Sequence, residues 1–422
     1  MEDTVHETIN LAAAPFFDQP QVDKIEIPIG PGVPLGSQQV FNPQLGIGGA
    51  YGAWGEAYDN ESLKAFIERR LGAPLLESET MDLASLGFNY RHHICSLSPQ
   101  EHLDVEVTVG AHFLRAAAHA CGWEPSEVQA VLIGASGPAS EDYTLRIANQ
   151  AGIPEEALKV SVHKACDGSV GGLHLALNPE LGFGGQMQRN LAEELRGKKV
   201  LVGGIEGLSR FVQASRDKNA LQLFGNGAGV IGVIPGENIE FIVGKSHEVF
   251  DEQGVLAVHM YYPHTRQRHE GGSNLEVSQE GKSHIRVAGL MNEPRDGEPV
   301  SMAGPMGMVK LFVRSGVQVV REVYQAYQER INQGIAASKK ISVAIVHHAN
   351  YKINKLKEKH LRDQGIVLDM PWLLSEFGNV SAASNMIAFL RRLPRMEPFD
   401  HVLIDGFGAG TYYDALVVSL AG

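Results

Sequence analysis

Short β-branched apolar runs alternate with longer stretches of helical periodicity along most of this chain, which restricts the fold to helices packed on mostly parallel sheets. Ala130–Ile133, Val200–Ile205 and Gly229–Ile234 read as strands, and Val105–Ala120 repeats apolar residues at helical spacing. A polar segment from 236 to 300 interrupts the pattern. It resumes with an amphipathic helix from Met308 to Ile331, a strand at 341–346, helices at 350–363 and 381–391, and strands at 401–405 and 414–420. Met1 to Gly36 has little periodicity and ends in a Pro/Gly-punctuated stretch, Ile27–Pro34, which predicts an extension lying on the surface or across a partner subunit.

At 422 residues and 44% hydrophobic content the chain can bury a sizeable core, as two units or one large duplicated one. Its net charge of −13 argues against nucleic acid as a partner, because phosphate binding needs clustered cations. No window reaches about 18 uninterrupted apolar residues, and Glu2, Asp3 and Glu7 stand where a signal peptide carries Lys or Arg, so a cytoplasmic protein without membrane attachment is expected. Cys95, Cys121 and Cys166 are too few for a disulfide framework and fit a reducing compartment.

Three segments carry chemistry. Ala165-Cys166-Asp167-Gly168 follows the extended run Leu158–Val162 and precedes a stretch rich in Gly, Leu and Ala, placing the thiol where a strand turns into a buried helix. Such a helix start is expected to favour the thiolate. Asp167 would oppose that unless its side chain points to solvent. His347-His348-Ala349-Asn350 ends the β-branched run Ile341–Val346, and Gly378-Asn379-Val380-Ser381 precedes the apolar segment 382–390. Thiol, imidazole and carboxamide at the ends of strands and loops suit carbon–carbon bond formation in an α/β protein.

These segments resemble Ala-Cys-x-Gly, His-Gln-Ala-Asn and Gly-Asn-Thr-Ser-Ala of the type III β-ketoacyl-acyl-carrier-protein synthases, members of the thiolase superfamily. Phe224-Gly225-Asn226-Gly227-Ala228-Gly229 is similar to the family's Phe-Gly-Asp-Gly-Ala-Gly, and Gly406-Phe407-Gly408-Ala409-Gly410 to its C-terminal glycine loop. The resemblance spans residues 37 to 422. It implies a five-layered αβαβα fold of two pseudo-equivalent halves, 37–235 carrying Cys166 and 236–422 carrying His347 and Asn379, preceded by the extension 1–36. It further implies acylation of Cys166, an oxyanion hole from the backbone N–H groups of Cys166 and Ala409, and decarboxylative condensation with a malonyl-type thioester at His347 and Asn379. No cofactor is implied. The expected partners are acyl carrier protein or coenzyme A thioesters and a second copy of the chain, in fatty acid, polyketide or related biosynthesis. Acyl transfer to an alcohol or amine, or non-decarboxylative joining of two acyl chains, is the alternative on the same fold; a non-enzymatic partner subunit is disfavoured by the presence of all three groups.

Several positions depart from the family. His348 replaces Gln, Val380 replaces Thr, and Ala409 replaces Gly. Members that prime with coenzyme A carry Trp and Arg where this chain has Met81 and Ser85, six and two positions before Gly87, so a carrier-borne primer is expected. Lys352, Lys355, Lys357 and Lys359 are either a solvated helix face or, with Lys310, a dock for an acidic carrier protein. The remaining features are read without catalytic roles. His259, His264, His269 and Glu270 fit no zinc spacing, Arg91-His92-His93 reads as surface or interface, and the Gly227/Gly229/Gly232 register reads as tight packing against the core.

Overall fold

A computed structural model describes residues 22–27, 30–94, 97–136, 140–181, 189–214, 218–248, 275–289, 304–337, 339–408 and 412–420. The strands in chain order are β1 Val22–Ile27, β2 Gly30–Asn42, β3 Ile47–Trp54, β4 Glu56–Asp59, β5 Tyr90–His93, β6 Ala130–Gly134, β7 Leu158–His163, β8 Val200–Glu206, β9 Gly227–Val233, β10 Ile239–Glu248, β11 Leu275–Glu280, β12 His284–Gly289, β13 Ile341–Ile345, β14 His401–Gly408 and β15 Tyr412–Leu420. The α-helices are α1 Asn60–Leu71, α2 Pro99–Ala120, α3 Tyr143–Ala151, α4 Gly168–Leu177, α5 Leu191–Leu195, α6 Leu208–Ala214, α7 Lys218–Leu223, α8 Gly304–Asn332, α9 Tyr351–Asp363 and α10 Ser384–Arg392.

Two sheets organise the molecule. A nine-stranded sheet runs β1-β2-β3-β9-β8-β6-β7-β12-β11, and a four-stranded sheet runs β10-β15-β14-β13. Every residue of α4 is buried, as is α10 from Ser384 to Leu390. These two helices lie between the sheets, sharing one core with Val160, Val202, Ile231, Val343, Ile404 and Leu416. On the far face of the larger sheet α2 and α3 close a second core around Phe113, Ile147 and Val131. On the far face of the smaller sheet α8 and α9 close a third around Val320, Ile353 and Leu403. The result is the thiolase-like helix–sheet–helix–sheet–helix layering. Within it β6-α3-β7-α4-β8-β9 is echoed by β13-α9, then α10-β14-β15.

The echo extends to the backbone. Ala165 has φ +51° and Ser381 φ +46°, a left-handed geometry that costs a non-glycine residue about 1–2 kcal/mol. Each sits in the single turn of 3₁₀ helix, Ala165–Asp167 or Ser381–Ala383, that leads into a central helix. Two glycines let these elbows press against strand ends. A Cβ on Gly134 would come 2.3 Å from the Gly168 carbonyl carbon, and one on Gly204 would come 2.3 Å from the Ala382 oxygen.

Two expectations change. The segment 236–300 contains strands: β10 pairs antiparallel with β15, and β12 runs parallel to β7 with β11 beyond it. Leu275, Val277, Ile285 and Val287 alternate with polar neighbours over six residues per strand, too briefly to stand out in a polar context. Residues 22–27 and 30–36 are the β1–β2 hairpin at the edge of the larger sheet, where the Pro/Gly punctuation is tolerated because an edge strand need not pair on both sides. Residues 1–21 lie outside the described residues.

Candidate active site

Cys166 stands at the elbow between β7 and α4, with only 6% of its surface exposed. The Ser381 hydroxyl, from the matching elbow of the other half, donates to its Sγ at 3.1 Å. Burial pushes the thiol up to about 12; the Ser381 hydrogen bond opposes this, and the carboxylates of Glu206 and Asp167 reinforce it. The expected resting thiolate is therefore overturned: desolvation of the sulfur outweighs the helix start.

Asn379 is fixed from both sides. Its backbone N–H donates to Leu223 O at 2.9 Å and its carbonyl accepts from Gly225 N, so the Phe224-Gly225-Asn226 segment braces it. Its side-chain oxygen accepts from Ser381 N at 2.9 Å, which leaves the amide NH₂ as the outward donor. Asn226 is itself structural, accepting from Ser209 N and donating to Trp54 O.

His347 lies two residues past the end of β13, and its backbone N–H donates to Asp405 at 3.1 Å. The ring is buried, and neither nitrogen has a partner in good hydrogen-bond geometry, the Asn385 side chain being the polar group that acts on the ring and opposes the lowering of its pKa. Burial holds its pKa down at about 3, helped by the charges of His348 and Lys357, so it is a neutral imidazole. Phe312 stacks on it with ring centroids 5.9 Å apart. Its neighbour His348 is spoken for, with Nδ1–H donating to Val346 O and Nε2 accepting from Leu373 N, and Asn350 caps α9 by accepting from Ile353 N.

A buried ionic network lies behind the elbow. The Lys164 ammonium is 3.1 Å from Asp167 and pairs with Asp414, whose other oxygen meets His174 Nδ1 at 2.7 Å. Burial raises the Asp167 pKa and the negative Asp414 raises it further. Burial opposes the Asp414 charge too, but Lys164 and His174 hold its carboxyl well below the usual range. Asp167 thus faces inward with its pKa raised, contrary to the alternative that it points to solvent. Beside it Lys357 pairs with Asp405 and donates to Tyr413 at 3.0 Å. That removes Lys357 from the expected solvated or docking face, where Lys352 and Lys359 remain exposed and Lys355 pairs with Glu358.

Glu206 was not singled out from the sequence. It ends β8 with 3% exposure, and one of its oxygens accepts from Ser136 N at 2.8 Å, Ser136 Oγ at 2.7 Å and Ala382 N at 3.0 Å. Burial nevertheless pushes it up to about 7. The available signal was an acid at the carboxyl end of a wholly apolar strand, where α/β proteins place chemistry.

Ala409 and the segment with His259, His264, His269 and Glu270 lie outside the described residues, as does the Lys310 side chain on α8. Among the described residues no group of three or more His, Cys, Asp or Glu could hold a metal, and no helix is long and apolar enough to cross a membrane. Arg91, His92 and His93 are buried, which corrects their reading as surface. Arg91 donates to Gln222 O at 2.7 Å and Asn60 at 2.9 Å, and burial holds the two histidines at about 4 and 3. Gly227 and Gly229 lie in β9 under α10, where Cβ atoms would come 2.7 Å from Val380 and 2.6 Å from Ile387 N. Met81 N donates to Gln222, and the Asp82 carboxylate, beside Lys352, accepts from Ser85 N. A cleft of about 670 Å³ lined by Tyr51, Trp372, Leu373 and Arg391 does not include Cys166, His347 or Asn379.

Residues 333–420 match the family described as 3-Oxoacyl-[acyl-carrier-protein (ACP)] synthase III C terminal. A beta-ketoacyl-[acyl-carrier-protein] synthase III of Streptomyces avermitilis is 28% identical over 57% of this chain and 64% of its own length. The corresponding Brucella suis protein is 25% identical over 75% of this chain and 84% of its own. The crystal structure of 3-oxoacyl-[acyl-carrier-protein] synthase III from Aquifex aeolicus superposes with TM-score 0.55 at 17% identity, covering 92% of this chain and all of that one.

Proposed function

Starting from a chain that is a β-ketoacyl-acyl-carrier-protein synthase III-like enzyme of the thiolase superfamily, we propose that it makes a β-ketoacyl product by acylation of Cys166 and decarboxylative condensation with a malonyl-type thioester. The observation that carries this reading is His347. A buried imidazole whose nitrogens find no protein partner in good hydrogen-bond geometry is costly unless a substrate supplies one. Being neutral, it keeps one N–H to donate without attracting the malonyl carboxylate, whose loss as carbon dioxide leaves an enolate. Donors from His347 and from the Asn379 NH₂ aimed at the thioester oxygen stabilise that enolate, which attacks the acyl carbon and releases the Cys166 sulfur. The Cys166 N–H, with Ala409 N–H as its partner, takes the oxyanion of the acyl carbon in both half-reactions.

The primer is carrier-borne in this reading. Met81 is tied to Gln222 and Ser85 to Asp82, so neither offers a purine a flat cation or an aromatic face. The exposed Lys352 and Lys359 lie in the first and third turns of α9, whose first N–H bonds to Leu86 O beside that segment. The protein acts as a cytoplasmic homodimer. The test is carbon dioxide release from malonyl-carrier in the presence of an acyl primer: release coupled one-to-one to ketone formation supports the reading, and acyl transfer without release supports the non-decarboxylative alternative.

A further inference from the structure

We propose that Glu206 is the acceptor of the Cys166 proton, reached through the Ser381 hydroxyl, so that attack by sulfur and loss of its proton are one event. The proposal rests on the reading of Cys166 as the acylated residue.

Ser381 Oγ lies 3.1 Å from Cys166 Sγ and is also hydrogen-bonded to Glu206. In the resting site the Ser381 hydroxyl donates to the sulfur; once its O–H turns to Glu206, the same oxygen can accept the thiol proton while passing its own to the carboxylate. Three donors, Ser136 N, Ser136 Oγ and Ala382 N, hold Glu206 in place and leave no freedom to turn away. Two of these donors belong to segments beside the elbow, so the backbone that shapes the nucleophile also aims its base. A buried thiol needs such a partner: with its pKa near 12, less than about one molecule in 10⁴ carries a thiolate at pH 7. Glu206, near 7, has the affinity of a base matched to its working pH.

The step balances. The Cys166 S–H proton moves to Ser381 Oγ and the Ser381 proton to Glu206, while sulfur bonds to the acyl carbon. The tetrahedral adduct expels the carrier thiolate, which takes a proton from water. Glu206 keeps its proton until the enolate attacks and the Cys166 sulfur leaves, when the proton returns by the same path.

The other titratable groups near the relay come from the surrounding elements. Tyr143 of α3 senses both Glu106 and Glu206, and Glu106 of α2 pairs with Arg210 of α6 at 3.4 Å. Asp167, next to Cys166, has its pKa raised by burial and by Asp414, and its carboxyl lies 3.1 Å from the Lys164 ammonium.

The test is Cys166 alkylation by iodoacetamide, followed by peptide mass from pH 5.5 to 9.5 in wild type, Glu206→Gln and Ser381→Ala. Alkylation needs no carrier, malonyl group or condensation, so it separates this proposal from the ketosynthase reading. Wild type should show a rise in rate centred near pH 7. Glu206→Gln, which keeps an oxygen to accept from Ser136 and Ala382, should lose that rise and react roughly 10²-fold more slowly at pH 8. Ser381→Ala, which leaves Glu206 and its three donors in place, should do the same. The opposite sign overturns the proposal. A carboxylate acting only by its charge disfavours the thiolate, so Glu206→Gln would then react as fast as wild type or faster. Wild-type alkylation with this profile but without ketone formation would leave the relay standing and defeat the ketosynthase reading instead.

Discussion

His347 and Asn379 do not need charge for the role assigned to them, and this separates them from Cys166 in a mutational series. Alanine at either position should leave acylation of Cys166 intact, since neither group is a partner of the sulfur, yet lower decarboxylative condensation by roughly 10²-fold or more, as expected for a lost oxyanion donor. Single-turnover acylation followed by mass, set beside carbon dioxide release, checks this; equal loss of both steps would contradict the division of labour. Cys166→Ala should abolish both steps and keep the fold, because a small apolar side chain suits a buried elbow. These three residues could be proposed from the sequence because each lies in a short local motif beside an apolar run. Lys164, Asp414 and Glu206 were not. Lys164 and Asp414 are 250 positions apart, and Glu206 acquires meaning only when Ser381 and Ala382, from the other half, arrive beside it. An isolated Lys or Glu in sequence reads as surface, and only long-range pairing makes it a buried one.

Among the elements, the two elbows and α9 make the strongest claims. Gly204→Ala would put a Cβ 2.3 Å from the Ala382 oxygen, with backbone on both sides and no flexible side chain to yield. It should destabilise the protein by about 1–3 kcal/mol and displace Ser381 from Cys166, so that alkylation of Cys166 slows in the folded variant. Denaturant melts and alkylation rates measure the two effects, and a variant as stable and reactive as wild type would show that the close approach is not needed. On α9 the exposed Lys352 and Lys359 are seven positions apart and share a face, while Lys357 turns inward to Asp405. Reversing Lys352 and Lys359 to Glu should raise KM for carrier-bound thioesters and spare a small N-acetylcysteamine thioester, because the Debye length of about 8 Å at physiological salt leaves only local charge to guide docking. Equal damage to both substrates would make the lysines structural. Helical periodicity revealed α9 but not which lysine its buried face would claim. That depended on Asp405 of β14, a strand expected to end at that residue and actually running to Gly408.

At the scale of the whole molecule, the buried histidines set the acid limit of the fold. His92, His93, His347 and His348 are held neutral at about 4, 3, 3 and 4, against 6.5 when unfolded. The unfolded chain therefore binds the extra protons between those values, and their contribution to stability falls as pH drops through that window. Burial raises Glu106, Glu206 and Glu376 above 4.5, so there the folded chain binds the extra protons and stability falls as pH rises. Above 4.5 the two sets oppose each other, and below 4.5 the histidines act together with Asp414, whose carboxyl is held well below the usual range. Denaturant midpoints should change little from pH 6.5 to 5 and drop steeply from 4.5 to 3.5; a loss complete by pH 5.5 would contradict this. The layered architecture was legible because alternating strands and helices admit few packings, whereas the edges were not: β1, β2, β11 and β12 extend the larger sheet with short or Pro/Gly-punctuated strands whose pattern is weak. Among the described residues the edges of that sheet are β1 and β11, and the proposed homodimer should bury an obligate interface of about 2,000 Å² or more; sedimentation as a monomer at micromolar concentration would refute it. The central claim is that Cys166 accepts an acyl group and gives it up to a carbon nucleophile. Intact-mass measurement of the protein after incubation with a panel of acyl-carrier-protein and coenzyme A thioesters, before and after addition of malonyl-carrier, tests it most directly. One retained acyl group, located on Cys166 and lost on malonyl-carrier addition with release of carbon dioxide and a β-ketoacyl product, is the expected result; wild-type protein that turns over substrate with Cys166 never acylated, or whose acyl group leaves only to water or another heteroatom, would contradict it.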